Sequence, residues 1–393
     1  MKDKISKIVS SYENNPLTYE EIIQSSIEYV LKKLEENLKV FTYNFPCAAS
    51  EILIFYPIKN TGIDTSFWTG MLWLAYDITG DKKYRTAAEI QIRSFQERLE
   101  NNIEIDCMNI GRLYILSCVA AYKITGNSNA RDLALKAADK LAERFIEKGK
   151  FILGWRRVND LRDGGLELPS LIDLSLLYWA SLETGNKRYH NIAEQHLNQV
   201  VKYNIRENGA TFHHFYIDIN TGEPLYAGNI TGYSDQSCWS RGHALGIYSL
   251  AINYIYTGDV NLLQEAKKMA DYFISRLPED GICYWDLVFL EGEEPKDTSA
   301  AAIAVCGLLE LSRYLPLIDK DKYIYENTAI KILVSLMKDY TTNTEEYLDS
   351  NGILMGGVYR KPFSYGENEC LLIGEYFYFE ALIKASRCFR SYW

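Results

Sequence analysis

A short motif recurs along the chain and divides it into pairs of helices. Each copy consists of an apolar segment, then Thr-Gly-Asp or Thr-Gly-Asn, then a segment with apolar residues at helical spacing. Glycine suits the left-handed residue that ends a helix, and the Asp or Asn that follows suits the N-cap of the next helix. The turns lie at Thr79-Gly80-Asp81, Thr125-Gly126-Asn127, Thr184-Gly185-Asn186 and Thr257-Gly258-Asp259. The pattern therefore predicts tightly joined helical hairpins.

The two helices of each predicted pair differ in polarity. The first is apolar nearly all round, as in residues 174–180, and is expected to be buried on both sides. The second, as in residues 134–148, carries Lys and Glu at helical spacing and is expected to face water. Two less regular pairs complete the count: 300–314 with 326–340, and 371–388 with 20–40. We therefore predict an all-α (α/α)6 barrel of six helical hairpins, with residues 1–393 as one domain.

The connections from an outer helix back to the next inner helix are long and rich in polar and aromatic residues. They are residues 41–67, 101–109, 149–172, 208–242 and 278–299. Long loops on one face of a rigid scaffold are where functional sites are usually built. We therefore expect a pocket among these connections, at one end of the ring.

The charge of the chain limits what this pocket can bind. The chain has 42 Lys and Arg against 52 Asp and Glu, a formal net charge of −10. This argues against nucleic acid, because phosphate binding needs clustered cations. The 30 tyrosines and 7 tryptophans suit sugars as well as core packing, since aromatic faces stack on sugar rings.

The sequence also indicates a compartment. No segment approaches the roughly 18 apolar residues that a membrane-spanning helix needs, and the first residues lack a signal-peptide pattern. Eight cysteines are spread without a CxxC pair. We expect a cytoplasmic protein with no membrane partner, and the sequence leaves monomer and dimer open.

Six segments resemble one family of glycoside hydrolases, in the same order along the chain. They are 67–76 (FWTGMLWLAY), 176–181 (LLYWAS), 237–242 (SCWSRG), 284–286 (YWD), 297–301 (DTSAA) and 374–378 (GEYFY). From about residue 20 to the end, the chain is similar to the unsaturated glucuronyl hydrolases, glycoside hydrolase family 88. The resemblance implies an enzyme without metal or cofactor that removes the unsaturated uronic acid left by a polysaccharide lyase at the non-reducing end of an oligosaccharide. It also implies that a carboxyl group assists addition of water to the vinyl ether, after which the hydrated sugar falls apart.

Two aspartates serve this chemistry in the family, and the chain departs from the pattern at both. The family's His-Asp-x-Gly-Phe segment aligns its His-Asp with Met108-Asn109, and its second aspartate and a following asparagine align with Pro169 and Asp173. Asparagine cannot act as a general base, although it can hydrogen-bond a substrate. Without a gap in the alignment, both catalytic acids are missing.

We expect that the carboxyl pair has moved along the site. Asp173 is four residues from Pro169 and Asp106 is three from Asn109, and such offsets return to the same side of a helix. Asp173 lies among Leu and Ile in sequence, so it is predicted to be the general acid with a raised pKa, assisted by Asp106 or Asn109. As the alternative, both aspartates lie where they can cap or stabilise a helix N-terminus.

Several other positions match the family's substrate contacts. His213 and Arg241 match polar contacts, and Phe67 matches an aromatic residue of the pocket wall. Arg241 is predicted to hold a carboxylate, with an ion pair to Asp235 as the alternative. Trp155 is predicted to be a stacking platform for a second sugar, with plain packing as the alternative.

The segment Tyr359-Arg360-Lys361 lies in the stretch that, in the family, shapes recognition of sulfated or unsulfated sugars. Two adjacent cations can bind a carboxylate or sulfate, and a solvated charged loop is the alternative. At three further positions the chain lacks the Trp, Gln and Trp that the family usually has, and this indicates a changed substrate. The residues at these positions are Ile63, Thr231 and Leu245, in that order.

Two other functions stay open. A retooled lyase or sugar isomerase would need a second basic residue, such as His243 or His214, facing the pocket. A catalytically inactive sugar-binding homologue would explain the amide of Asn109. Asp286 and Asp297 match family motifs and are predicted to brace a loop, with a catalytic role as the alternative.

Overall fold

The helices of the computed structural model, which describes residues 18–154 and 164–393, form a closed ring. The inner helices are α2 (Thr65–Thr79), α4 (Ile110–Tyr114) continued by a π-helical turn (Ile115–Val119) and α5 (Ala120–Thr125), α7 (Ser175–Thr184), α9 (Ser240–Thr257), α11 (Thr298–Tyr314) and α13 (Leu372–Ser386). The outer helices are α1 (Tyr19–Phe41), α3 (Lys82–Glu100), α6 (Ser128–Ala142), α8 (Lys187–Asn204), α10 (Val260–Ser275) and α12 (Lys320–Asp339). Neighbouring inner helices contact each other, and α13 contacts both α2 and α1, which closes the ring. The predicted six hairpins are confirmed.

The recurring turns have the predicted geometry. The four turn glycines have φ between 69° and 73° and end the inner helices in the left-handed conformation. The Asp or Asn that follows each glycine accepts a hydrogen bond from a backbone N–H of the next helix. Four of the six hairpins therefore have their C-cap and N-cap encoded in three consecutive residues.

Burial separates the two rings as predicted. In α9, every residue from Ser240 to Asn253 is buried. In α8, the buried residues recur at helical spacing, while Lys and Glu face outward. None of the described helices is long and apolar enough to cross a membrane.

The connections to the inner helices contain short antiparallel strands that the sequence did not predict. β1 (Phe45–Pro46) pairs with β2 (Pro57–Ile58), and β3 (Phe145–Ile146) pairs with β4 (Phe151–Ile152). β5 (Gly164–Glu167), β6 (His214–Ile217) and β7 (Pro224–Gly228) form a three-stranded sheet, and β8 (Gly357–Arg360) pairs with β9 (Tyr365–Glu369). A 3₁₀ turn, Leu168–Ile172, joins β5 to α7.

Candidate active site

A pocket of about 430 Å³ lies where these connections meet the N-terminal ends of the inner helices. Four lining residues are N-caps or second residues of inner helices: Asp64 of α2, Asn109 of α4, Arg241 of α9 and Ile373 of α13. Other lining residues come from the short strands and their edges: Glu167, His213, His214, Tyr359 and Arg360. The pocket is therefore at one end of the ring, as predicted.

The carboxyl group of Glu167 lies on the pocket wall. Glu167 is the last residue of β5 and stands opposite His214 of β6. It is half-buried, and burial raises its pKa to about 7, while the nearby Arg112 and Arg144 oppose the increase. Near neutral pH this carboxyl group can therefore exist with and without its proton.

Two histidines stand beside Glu167. A side-chain nitrogen or oxygen of each of Glu167, His213 and His214 lies within 4.8 Å of the others. His213 Nδ1 is 2.7 Å from Thr231 Oγ1, and its ring centroid is 4.6 Å from that of Trp239. Burial lowers the pKa of His214 to about 4 and that of His213 well below its usual range. Both imidazoles are therefore neutral at physiological pH.

Arg241 lines the pocket but is largely held by protein groups. Its guanidinium donates to the carbonyl oxygens of Val358 at 2.7 Å and Tyr359 at 2.5 Å, and lies 3.4 Å from Asp297 Oδ2. These contacts tie α9 to β8. Asp235 is not its partner, because that carboxylate instead accepts a hydrogen bond from a loop backbone N–H.

The three residues of the predicted cationic segment, 359–361, have different surroundings. The Tyr359 hydroxyl donates to Asp64 Oδ2 at 2.5 Å, and both residues line the pocket. Arg360 is exposed, lines the pocket and forms no ion pair with any described residue. Lys361 instead forms an ion pair with Glu367 at 2.5 Å and is not a described lining residue.

Asp173 lies behind the pocket and not on its wall. It is 0% exposed, and its carboxylate accepts hydrogen bonds from the Arg112 backbone N–H at 2.6 Å and from Arg112 Nη2 at 2.6 Å. Asp173 was predicted to lie on the pocket wall, and this is wrong because Leu168–Ile172 is a 3₁₀ turn that ends at Asp173, so the α-helical offset does not apply. Arg112 lines the pocket and separates it from Asp173.

Asp106 is also outside the described lining. Its side chain is 51% exposed and pairs with Arg144, whose guanidinium donates to the carbonyl oxygens of Leu153 and Gly154. This ion pair fixes the connection that precedes β5. Asn109, by contrast, lines the pocket and its side chain makes no capping hydrogen bond.

Phe67 is part of the ring's core and not of the described pocket wall. It is buried, with its ring centroid 5.5 Å from that of Tyr376 and 5.9 Å from that of Phe377. Trp155 lies outside the described residues. Asp286 braces its loop as predicted, because it accepts hydrogen bonds from the backbone N–H groups of Tyr233 and Cys238.

Sequence reasoning missed Glu167, Asp64 and Arg112. Glu167 is the one acidic residue in the segment 164–172, and it lies two positions before Pro169, which aligns with the family's second aspartate. This position could have indicated a carboxyl group near the site. Arg112 is a cation inside the apolar segment 110–116, and such a residue needs a buried partner.

The fold and the pocket define an α/α barrel with a candidate active site at one end of its ring, and comparisons with known proteins specify its class. No protein-family model matches the chain. The unsaturated chondroitin disaccharide hydrolase of Streptococcus pneumoniae is 38% identical over 379 residues, 96% of this chain and 95% of that protein. The crystal structure of unsaturated glucuronyl hydrolase from Streptococcus agalactiae has a TM-score of 0.92 at 38% identity, over 97% of this chain and 96% of that chain.

A solved mutant of the Streptococcus agalactiae enzyme, complexed with dGlcA-GalNAc6S, has a TM-score of 0.85 at 36% identity, over 97% of this chain and 95% of that chain. The chain belongs to the unsaturated glucuronyl hydrolases, which are glycoside hydrolases, and it has their α/α-barrel fold.

Proposed function

We propose that the chain removes an unsaturated uronic acid from the non-reducing end of a lyase-generated oligosaccharide. The observation that carries the proposal is a half-buried carboxyl group, Glu167, on the wall of a pocket in a chain that matches unsaturated uronide hydrolases over nearly its full length. The names of the relatives supply the substrate class. The position of Glu167 on the pocket wall supports its assignment as the acid, in place of the two family aspartates that align with Asn109 and Pro169.

Hydration of the vinyl ether needs a proton at C4 and water at C5 of the unsaturated sugar. Glu167 gives its proton to C4, the water oxygen bonds to C5, and the water's proton returns to the Glu167 carboxylate. The resulting C5 hemiketal opens by breaking the bond between C5 and the ring oxygen, which leaves a ketone at C5. The hemiacetal at C1 then releases the shortened sugar as an alcohol, and every proton is accounted for.

Within the described lining, Asp64 and Glu167 are the two carboxyl groups. Asp64 accepts a hydrogen bond from the Tyr359 hydroxyl, so its carboxyl group already has a protein partner. We assign proton transfer to Glu167 because it lies beside the neutral His213 and lines the same pocket as Asn109. Asn109 is assigned a hydrogen bond to the sugar, which an amide can make.

Arg360 is assigned to the substrate carboxylate. It lines the pocket and has no ion-pair partner among the described residues, so its guanidinium can take a carboxylate in two parallel hydrogen bonds. Arg241 supports it indirectly, since it holds the backbone of β8 that carries Arg360. His213 is assigned to orienting the sugar.

The test is consumption of unsaturated disaccharides made by polysaccharide lyases, sulfated and unsulfated. Consumption is followed by the loss of the ultraviolet absorbance of the conjugated double bond. The products are identified by their masses in mass spectrometry. We expect at least one disaccharide to give a free sugar and a keto acid heavier than the unsaturated acid residue by one water. Calorimetric binding of every disaccharide without consumption would instead support the inactive sugar-binding alternative.

We also propose a cytoplasmic location, with an oligosaccharide as the partner and no nucleic acid or membrane. All eight cysteines are free, which fits a reducing compartment. The net charge of −10 disfavours phosphate backbones. Fractionation of the native cells tests the location, and we expect the protein in the soluble intracellular fraction.

A further inference from the structure

We propose that Glu167, His213 and His214 form a binding site for one divalent transition-metal ion on the pocket wall. The three donor atoms lie within 4.8 Å of one another. Two imidazoles and one carboxylate are a donor set that proteins use for zinc and for iron(II). The inference does not rest on the proposed hydrolysis. It uses the Glu167 carboxylate as a ligand, so a bound ion and the proton transfer assigned to Glu167 exclude each other.

Strand pairing brings the three side chains together. Glu167 and His214 are directly opposite each other in the antiparallel pair of β5 and β6, and side chains at such positions lie on the same face. His213 precedes β6, and its ring centroid is 3.9 Å from that of His214. The backbone therefore fixes the donors without help from a bound ion.

The spacing suits a single ion after small side-chain rotations. Nitrogen and oxygen ligands stand about 2.0–2.2 Å from zinc, which places the donors of a tetrahedral site roughly 3.3 Å from one another. Thr231 Oγ1 is 2.7 Å from His213 Nδ1. When Nδ1 carries the proton and donates to Thr231, His213 Nε2 has the free lone pair that a metal needs.

The local charge is compatible with a cation. Neutral imidazole is the form that ligates metals, and burial keeps both histidines neutral. Arg112 and Arg144 are each neutralised by an aspartate, Asp173 and Asp106 respectively. Two further guanidinium groups act on the proposed ligands: Arg241 pairs with Asp297, and Arg360 is exposed, so solvent screens its charge. The carboxylate of Glu167 then supplies the negative charge that faces the ion.

The site faces the pocket. Three protein ligands leave at least one coordination position for water or for a substrate oxygen, as in metal sites that exchange ligands and unlike closed structural sites. Cys107 also lines the pocket, but it is not part of the three-residue cluster. Thiolate ligation is therefore the main competing arrangement, and the test must distinguish it.

The experiment is titration of the metal-free full chain with Zn²⁺ by calorimetry and with Co²⁺ by absorption spectroscopy, in a non-chelating reductant. We expect one equivalent of each ion, with Co²⁺ ligand-field bands and no thiolate charge-transfer band. Glu167→Gln and His214→Ala should each weaken binding at least tenfold. The matched controls Glu367→Gln and His190→Ala, which change a residue outside the cluster, should keep it.

Three outcomes would overturn the proposal. They are absence of binding, equal affinity in the parent and in both ligand variants, and a thiolate band with Co²⁺. Circular dichroism melting of each variant confirms that it is folded at the titration temperature. Because the readout is binding, it is independent of whether any disaccharide is turned over.

Discussion

We predict that removing the carboxylate of the Arg112–Asp173 ion pair greatly lowers the free energy of unfolding. Arg112 and Asp173 have side chains only 5% and 0% exposed, with Nη2 to Oδ2 at 2.6 Å and the Arg112 backbone N–H also bound to this carboxylate. Asp173→Asn leaves a buried guanidinium without its counter-charge, which costs about 3–5 kcal/mol. We expect a comparable decrease in the free energy of unfolding in urea.

The double variant Arg112→Phe/Asp173→Asn gives the test its control. The family's His-Asp-x-Gly-Phe segment places Phe at position 112, and its second segment places Asn at position 173, so the double change restores an uncharged pair. It should recover much of the stability that Asp173→Asn loses. If Asp173→Asn instead keeps full stability and abolishes disaccharide turnover, the structural role is refuted and Asp173 is the acid that the sequence predicted.

Two further predictions concern stability. Burial raises the pKa of Glu375 to about 8, above its unfolded value, so the stability that the protonated group contributes is present below about pH 4.5 and is lost as the pH rises through about 8. From pH 5 to 9 the free energy of unfolding should therefore decrease by up to about 5 kcal/mol more in the parent than in Glu375→Gln. This is measured as a steeper fall of the parent's melting temperature with pH, and parallel profiles would contradict it. A Cβ at Gly111 would lie 2.4 Å from the Asp173 carbonyl oxygen, so Gly111→Ala should cost about 1–3 kcal/mol; an unchanged melting temperature would show that the two segments are not tightly packed.

The ring could be predicted from sequence because its signals are local. Four of the six hairpins hold a glycine and a capping residue within three positions, as at Gly80 and Asp81. Apolar and amphipathic periodicity then separates inner from outer helices. Nothing in these signals depends on residues far away in the chain.

The site could be predicted only in part, because its side chains are positioned by distant partners. Asp173 was expected to face the pocket, but its direction is set by Arg112, 61 residues earlier. Glu167 reaches the wall because β5 pairs with β6, and strands of four residues carry little pattern of their own. Five residues that the resemblance indicated line the pocket, and their roles stay predictions: Asn109, His213, Arg241, Tyr359 and Arg360.

The central claim is that Glu167 transfers the proton in hydrolysis of an unsaturated uronide. The direct measurement is kcat for the best disaccharide with the parent, with Glu167→Gln and with Glu367→Gln, which makes the same change outside the pocket. We predict that Glu167→Gln lowers kcat by about 10²–10⁴-fold, with melting temperature and disaccharide affinity retained, while Glu367→Gln stays near the parent. A Glu167→Gln variant that turns over the disaccharide at the parent rate would contradict the account.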